Sequence, residues 1–432
     1  MHRHDAIDPE SDDGGRAERL AAAARVLPQG ASSGRRAEDR EVVVHARGAT
    51  LCTADGRVLT DVLLGSGTIT VGHGDPRVLE AVVDAVRACD GTAVGPQPGE
   101  VELAELLCAL VPSAERVAFC SSSELALIRA VGLARAASGR RRALAFRGCD
   151  DAWHGRRVDG PTSWGREPGV RSVRARVSHD LTVLEFNDVD GVAREFTSED
   201  PPGVVVVEPY VHAFGCVAPA PGFLETLRAA CSRAGAVLIF DESRTAFRCH
   251  LGGYQAVCGV VPDLTVLGEA MGNGFAIAAI AGRSSILELL GDTAPGHIPF
   301  NGALNGTPYA IAAARATLGI LVGGALEGTH RTGERIRTGL REAVEASGAS
   351  ASVTGIGDAW TVWATDAPPT DFASLARTDR WQAERLRDGM LAGGVLEPGV
   401  IPGDRRCCTA TTDDDVDRIV RAAAAALERI AG

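Results

Sequence analysis

Carboxylates recur in this sequence just past short apolar runs of strand type. Glu208 follows GVVVV, Asp241 and Glu242 follow AVLIF, and Glu269 follows DLTVLG. Asp150 and Asp151 stand beyond RALAF, separated from it by Arg147, Gly148 and Cys149. Two carboxyl groups brought close in an apolar cleft push their proton affinities apart, leaving one acid and one base near neutrality. An acidic cleft also suits an amine or imine. Any one of these acids alone could be a helix N-cap, but so many at strand ends point to chemistry. His154 and His212 could approach the same carboxylates, and an oxygen-rich cluster suits a hard cation. The expectation is still no metal site, because His154 in AWHG has the setting of a packed histidine.

One residue type is missing. All 44 residues counted as lysine plus arginine are arginine. Lysine is ordinarily among the commoner residues. Its absence excludes any step that needs a side-chain primary amine, including an imine to an aldehyde cofactor. The 11 cysteines form no CxxC, so zinc spacing is lacking and the odd total fits a reduced, cytoplasmic setting.

Strand and helix alternate from about residue 76 to 300. Apolar helical spacing runs through 77–88, 99–111 and 123–137. Strand-type runs occupy 116–120, 142–146, 203–209, 236–242, 263–269 and 275–282. Near-continuous Val/Ile/Leu strands between helices predict a mainly parallel sheet covered on both faces. Functional groups of such sheets lie just outside the carboxyl ends of the strands. Residues 42–62 alternate and turn at Ala54-Asp55-Gly56, predicting a hairpin. After 307 come two long helical stretches, strands near 351–365, a helix near 379–392 and a final helix at 412–430. The expected division is a frayed tail (1–25), an N-terminal segment of a small domain (26–75), a large domain (76–306) and the C-terminal small domain (307–432). The start is polar and acidic, unlike a signal peptide.

With 432 residues, 45% apolar and 23% charged, the chain has the composition of a globular protein. A net charge of −12 argues against nucleic acid and anionic membranes as partners. No apolar run comes near the roughly 20 residues that span a bilayer.

Ordered segments along almost the whole length carry a resemblance. They include LPQGASSGRRAED (27–39), VGHGDPRVLEAV (71–82), PSAERVAFCSSSELALIRAVGLAR (112–135) and FRGCDDAWHG (146–155). Further on come VVVVEPYVHAFGCVAPAPGFLETLR (204–228), AVLIFDESRTAFR (236–248), PDLTVLGEAMGNGFAIAAIAGR (262–283) and NGTPYAIAAARATL (305–318). In these the chain resembles the class III aminotransferases, glutamate-1-semialdehyde aminomutase above all. The resemblance implies the fold type I architecture of pyridoxal phosphate (PLP) enzymes: a large α/β domain with a mainly parallel, seven-stranded type of sheet, plus a small α+β domain from the two ends of the chain. It also implies a dimer with the site at the interface.

The departures from the family cluster where the cofactor would sit. Glu269 takes the place of the Schiff-base lysine, Asp150 that of the ring-stacking aromatic and Asp151 that of a histidine. The phosphate cup becomes Ser121-Ser122-Ser123, whose hydroxyls and helix N-terminus can still hold an anion. Ala303 replaces a threonine and Ser66 an aromatic. Asp241 survives as the partner of the pyridine nitrogen, and Arg36 as the arginine for the substrate carboxylate. Extra carboxylates beside a doubly charged phosphate disfavour that cofactor.

The leading expectation is an enzyme without covalent cofactor, doing cyclisation, condensation, elimination or isomerisation on an amino-acid-derived small molecule. Glu269, Asp241 and Asp150 are its catalytic candidates. Arg36, Asp151, His154 and Glu208 are its substrate contacts. One alternative is pyridoxamine phosphate (PMP), or PLP already joined to an amine, held non-covalently by Ser121, Ser122, Ser123 and Asp241. The other is a non-catalytic partner, for example one half of a heterodimer with a lysine-bearing paralogue, or a scaffold.

Overall fold

The computed structural model describes residues 13–32, 41–88, 95–149, 180–291, 297–397, 403 and 405–431. Residues 13–25, expected within a frayed tail, form most of a helix, Asp13–Val26. The hairpin segment gives three antiparallel strands, β1 (Val43–Arg47), β2 (Thr50–Thr53) and β3 (Val58–Asp61). The turn at Ala54-Asp55-Gly56 joins β2 to β3, with the Gly56 N–H donating to the Thr53 carbonyl.

Seven further strands make the main sheet: β4 (Arg116–Cys120), β5 (Ala143–Phe146), β6 (Leu181–Leu184), β7 (Val204–Val207), β8 (Val237–Asp241), β9 (Leu264–Leu267) and β10 (Ala278–Gly282). Their order is β4-β10-β9-β8-β7-β5-β6. Only β10 runs against its neighbours β4 and β9; the pairs β5–β6, β5–β7, β7–β8 and β8–β9 are parallel. Strands β5, β7, β8, β9 and β10 are buried at every residue, as a sheet covered on both faces requires. Alternation by two sends Val204, Val206, Val237 and Ile239 against the helix Ser123–Ser138, and Val205, Val207, Leu238 and Phe240 against the helix Phe223–Ala234.

Strand β6 is absent from the sequence expectation. It lies at the sheet edge and all four residues are only half-buried, so its apolar signal is short.

The C-terminal region adds β11 (Ser352–Thr354), β12 (Ala359–Trp363), β13 (Val395–Leu396) and β14 (Arg405–Arg406). Strand β13 pairs in parallel with β3, which joins the two ends of the chain in one sheet. A separate core around Ile336, Leu340, Trp360, Met390 and Ile419 also takes in Val62.

The expectation about apolar runs needs correction. Helices Pro308–Ile320 and Leu326–Ser347, continuous through Leu321–Ala325, are long and apolar enough to cross a bilayer by length and composition. The stretch is nevertheless a core element. Ala310, Ile311, Ala314 and Leu318 are buried with Leu103 and Leu107 of the helix Pro98–Leu110, and Gly324 (φ 99°) kinks it.

Candidate functional site

Parallel pairing sets the carboxyl ends of β7, β8 and β9 side by side. The registers Val207↔Phe240 and Asp241↔Val266 bring Glu208 beside Asp241 and place Glu269 just beyond the end of β9. Three of the sequence candidates therefore share one edge, as expected for this sheet type. Their environments differ.

Glu208 is buried, and its Oε1 accepts the backbone N–H of His212 at 2.8 Å. That contact fastens the turn after β7, where Cys216 Sγ also lies 3.8 Å from His212 Nδ1. Glu208 is thus engaged in holding the loop. Asp241 is buried as the last residue of β8, and its Oδ1 accepts the Ser243 N–H at 3.1 Å. Its neighbour Glu242 is completely buried and accepts hydrogen bonds from Thr245 Oγ1 (2.7 Å), both nitrogens of Gln255 (3.0 Å each) and the Tyr254 N–H. Burial pushes the Glu242 carboxyl above its ordinary range, and the hydrogen bonds oppose that.

Glu269 opens the short 3-10 turn Glu269–Gly272. Its side chain keeps 18% of its surface exposed, although its Oε2 is buried. Oε1 stands 3.7 Å from Arg244 Nη2, and Oε2 has no hydrogen-bond partner among the described residues. Gly67 packs against this carboxylate. A Cβ there would sit 2.9 Å from Oε2 and 3.4 Å from Arg406 Nε, and Gly67 holds φ +91°. It ends a run of left-handed residues, Leu64 (φ 48°), Gly65 (63°), Ser66 (60°) and Gly67. Such backbone in non-glycine residues costs energy and collects at functional sites.

Sequence reasoning paired Glu269 with another acid. Among the described residues, the charged groups placed at it are guanidiniums, while Asp150 and Asp151 lie outside those residues. Arg248, 1% exposed, donates to Asp358 Oδ2 and to the Gly67 carbonyl. Burial first, and then the charge of Arg406, lower the proton affinity of Arg248; Asp358 and Glu269 oppose them. Arg406, 2% exposed in β14, donates from Nη1 to the Arg244 carbonyl at 3.3 Å. These arginines escaped the sequence reading because their neighbours come from distant segments. A faint signal existed: Arg405-Arg406 stands directly before the vicinal Cys407–Cys408, within a stretch that proves buried.

The serine triplet sits at the end of β4, where the helix Ser123–Ser138 starts. Ser122 is its N-cap, accepting the Leu125 N–H at 3.3 Å. Ser123 Oγ lies where a side chain on Gly268 would point, so the helix start touches the residue before Glu269. Arg36, Asp150, Asp151 and His154 fall outside the described residues. Among the described residues, no three of His, Cys, Asp or Glu gather in a metal-binding group.

Comparison with known proteins places this site in context. The family model for aminotransferase class III matches residues 33–379. The chain is 34% identical over 426 residues to glutamate-1-semialdehyde 2,1-aminomutase of Thermomicrobium roseum, covering 95% of this chain and 97% of that one. Its fold matches the crystal structure of an omega-transaminase from Sphaerobacter thermophilus with a TM-score of 0.87 at 28% identity, covering 98% and 99% of the two chains. A transaminase solved with PLP bound matches at TM-score 0.84 and 27% identity, over 96% of this chain and 98% of that one.

Proposed function

The chain belongs to the class III aminotransferase family, and within it we propose an enzyme that dispenses with the internal aldimine and performs acid–base chemistry on an amino-acid-derived small molecule. The family is PLP-dependent. The side chains here do not fit PLP held as an imine: the sequence has no lysine, and Glu269 takes the place just past β9. No step is therefore routed through that cofactor.

One observation carries the reading. A partly exposed glutamate, whose buried Oε2 lacks a hydrogen-bond partner among the described residues, stands at the carboxyl edge of the sheet beside guanidinium groups. A carboxylate so placed can take a proton from a carbon or nitrogen of the substrate and return it elsewhere. Asp241 supplies a second acid at the same edge, suited to an amino or imino group. Cyclisation, condensation, elimination and isomerisation each include proton transfers of this kind, the bonds between heavier atoms forming and breaking within the substrate itself. Asp150 belongs to the proposal as a further catalytic acid, and Arg36, Asp151, His154 and Glu208 as groups around the substrate, in a cytoplasmic homodimer.

A second reading, PMP or a preformed PLP adduct held without a covalent bond, draws support from Asp241 and from the serines at the helix start. Against it stand Asp150 and Ala303, where the family has an aromatic and a threonine.

The test is solvent exchange. The purified protein, with no cofactor added, is incubated in D2O with a panel of amino acids and amino aldehydes, and deuterium incorporation is followed by mass spectrometry. Glu269→Gln should lower the rate by about 10²- to 10⁴-fold, the usual worth of a general acid–base group. Exchange undiminished in that variant would remove Glu269 from the mechanism.

A further inference from the structure

We infer that a cavity at the amino edge of the main sheet is a second small-molecule site, built for a zwitterion: an α-amino acid with a large apolar side chain. The cavity lies at the opposite ends of β8 and β9 from Asp241 and Glu269, so it is separate from the site described above. At about 3.3 Å per residue, the five residues of β8 put roughly 15 Å between the two.

The cavity holds about 860 Å³, within the range of pockets that take small ligands. It is lined by the start of β8, the turn Val261-Pro262-Asp263 before β9, the last turns of the helices Ser123–Ser138 and Phe223–Ala234, and the segment after β10. Ala137, Val261 and Leu289 give it an apolar side. Val261 is 42% exposed, apolar surface that a bound molecule would cover.

The charges of this lining do not cancel in pairs. Buried Asp263 accepts from Arg228 Nη1 at 2.8 Å through Oδ2 and from Arg283 Nη1 at 3.2 Å through Oδ1. The Leu238 N–H also donates to Oδ2, at 2.9 Å. One fully engaged carboxylate thus serves two guanidiniums, which leaves one positive charge in excess. Both arginines keep donors in reserve, since a guanidinium has five N–H groups. Arg228 spends Nε on Ser232 Oγ and Nη1 on Asp263 and the Val261 carbonyl, and Arg283 spends Nη1 on Asp263. Among the described residues, Nη2 of either arginine and Nε of Arg283 have no acceptor. Arg283 is also well exposed, at 56% of its side chain.

Glu115 supplies the opposite charge on the same cavity. Its Oε2 accepts the Ser284 N–H at 2.8 Å, and among the described residues it has no ion-pair partner. The helix Ser123–Ser138 borders the cavity with Ala136 and Ala137 of its last turn, and the carbonyl end of a helix attracts cations. A carboxylate for the arginines, an ammonium for Glu115 and an apolar side chain for Val261 and Leu289 answer all these features in one molecule. A ligand of single charge leaves one of the two unmatched.

Calorimetric titration of the full-length chain with L-phenylalanine tests this, beside 3-phenylpropionate, which lacks the ammonium, and 2-phenylethylamine, which lacks the carboxylate. Phenylalanine should bind saturably and about tenfold more tightly than either. Arg283→Gln and Glu115→Gln, both at exposed positions, should each weaken it by about tenfold. Ala137→Trp, also exposed, fills the cavity without removing a charge and should abolish binding. Absence of saturable binding, a single-charge compound bound as tightly, or an affinity unchanged by any of these three variants would overturn the site. Glu269→Gln should bind phenylalanine as wild type does; loss of binding there would locate the amino acid in the cleft at Glu269 and defeat this inference alone.

Discussion

Two glutamates past neighbouring strand ends meet opposite environments. Glu242 is sealed in and surrounded by donors from Thr245, Tyr254 and Gln255, which makes it a brace between the end of β8 and the helix Tyr254–Cys258. Replacing it with glutamine turns one acceptor into a donor that faces other donors. Glu242→Gln should therefore destabilise the protein by about 1–3 kcal/mol, the cost of leaving buried polar groups unmatched; urea unfolding would show it as a lower midpoint at unchanged slope. A midpoint equal to wild type would mean that the donors find other acceptors. Among the described residues Glu269 has no comparable set of donors, and Arg244 Nη2 stands 3.7 Å from it. The sequence showed both acids but could not tell brace from reactive group, because that difference depends on Arg244, Arg406 and Gly67. Residue types were legible there, and long-range neighbours were not.

At the scale of elements, most of the scaffold could be read in advance. Strands buried on both faces are nearly continuous apolar runs, and all five were placed within a few residues of their observed ends. Edge strand β6 escaped because half-burial demands less of its sequence. The kink at Gly324 was also unseen, since a single glycine inside a helical pattern does not announce its φ. The helix Ser123–Ser138 links element to site, for its N-cap Ser122 fixes where that helix starts against Gly268. Removing the cap in Ser122→Ala should cost about 1 kcal/mol, seen as a small drop in thermal midpoint. A drop several times larger would show that the hydroxyl does more than cap the helix.

For the molecule as a whole, the defining feature is a compositional fact joined to a topological one. The fold of a PLP-using family is retained across nearly the full chain, while the sequence contains no lysine. The site lies where segments far apart in sequence meet: the left-handed turn at Gly67, the ends of β8 and β9, and β14. The pairing of β3 with β13 joins the N- and C-terminal regions in one sheet. Composition therefore revealed which chemistry is excluded, but the arginines around Glu269 became visible only in the three-dimensional assembly. Equilibrium dialysis of the purified chain against PLP and against PMP, followed by absorbance spectra, tests the claim of cofactor independence most directly. The account predicts that neither compound is retained saturably and that no cofactor band survives dialysis. Stoichiometric retention of either one would contradict it.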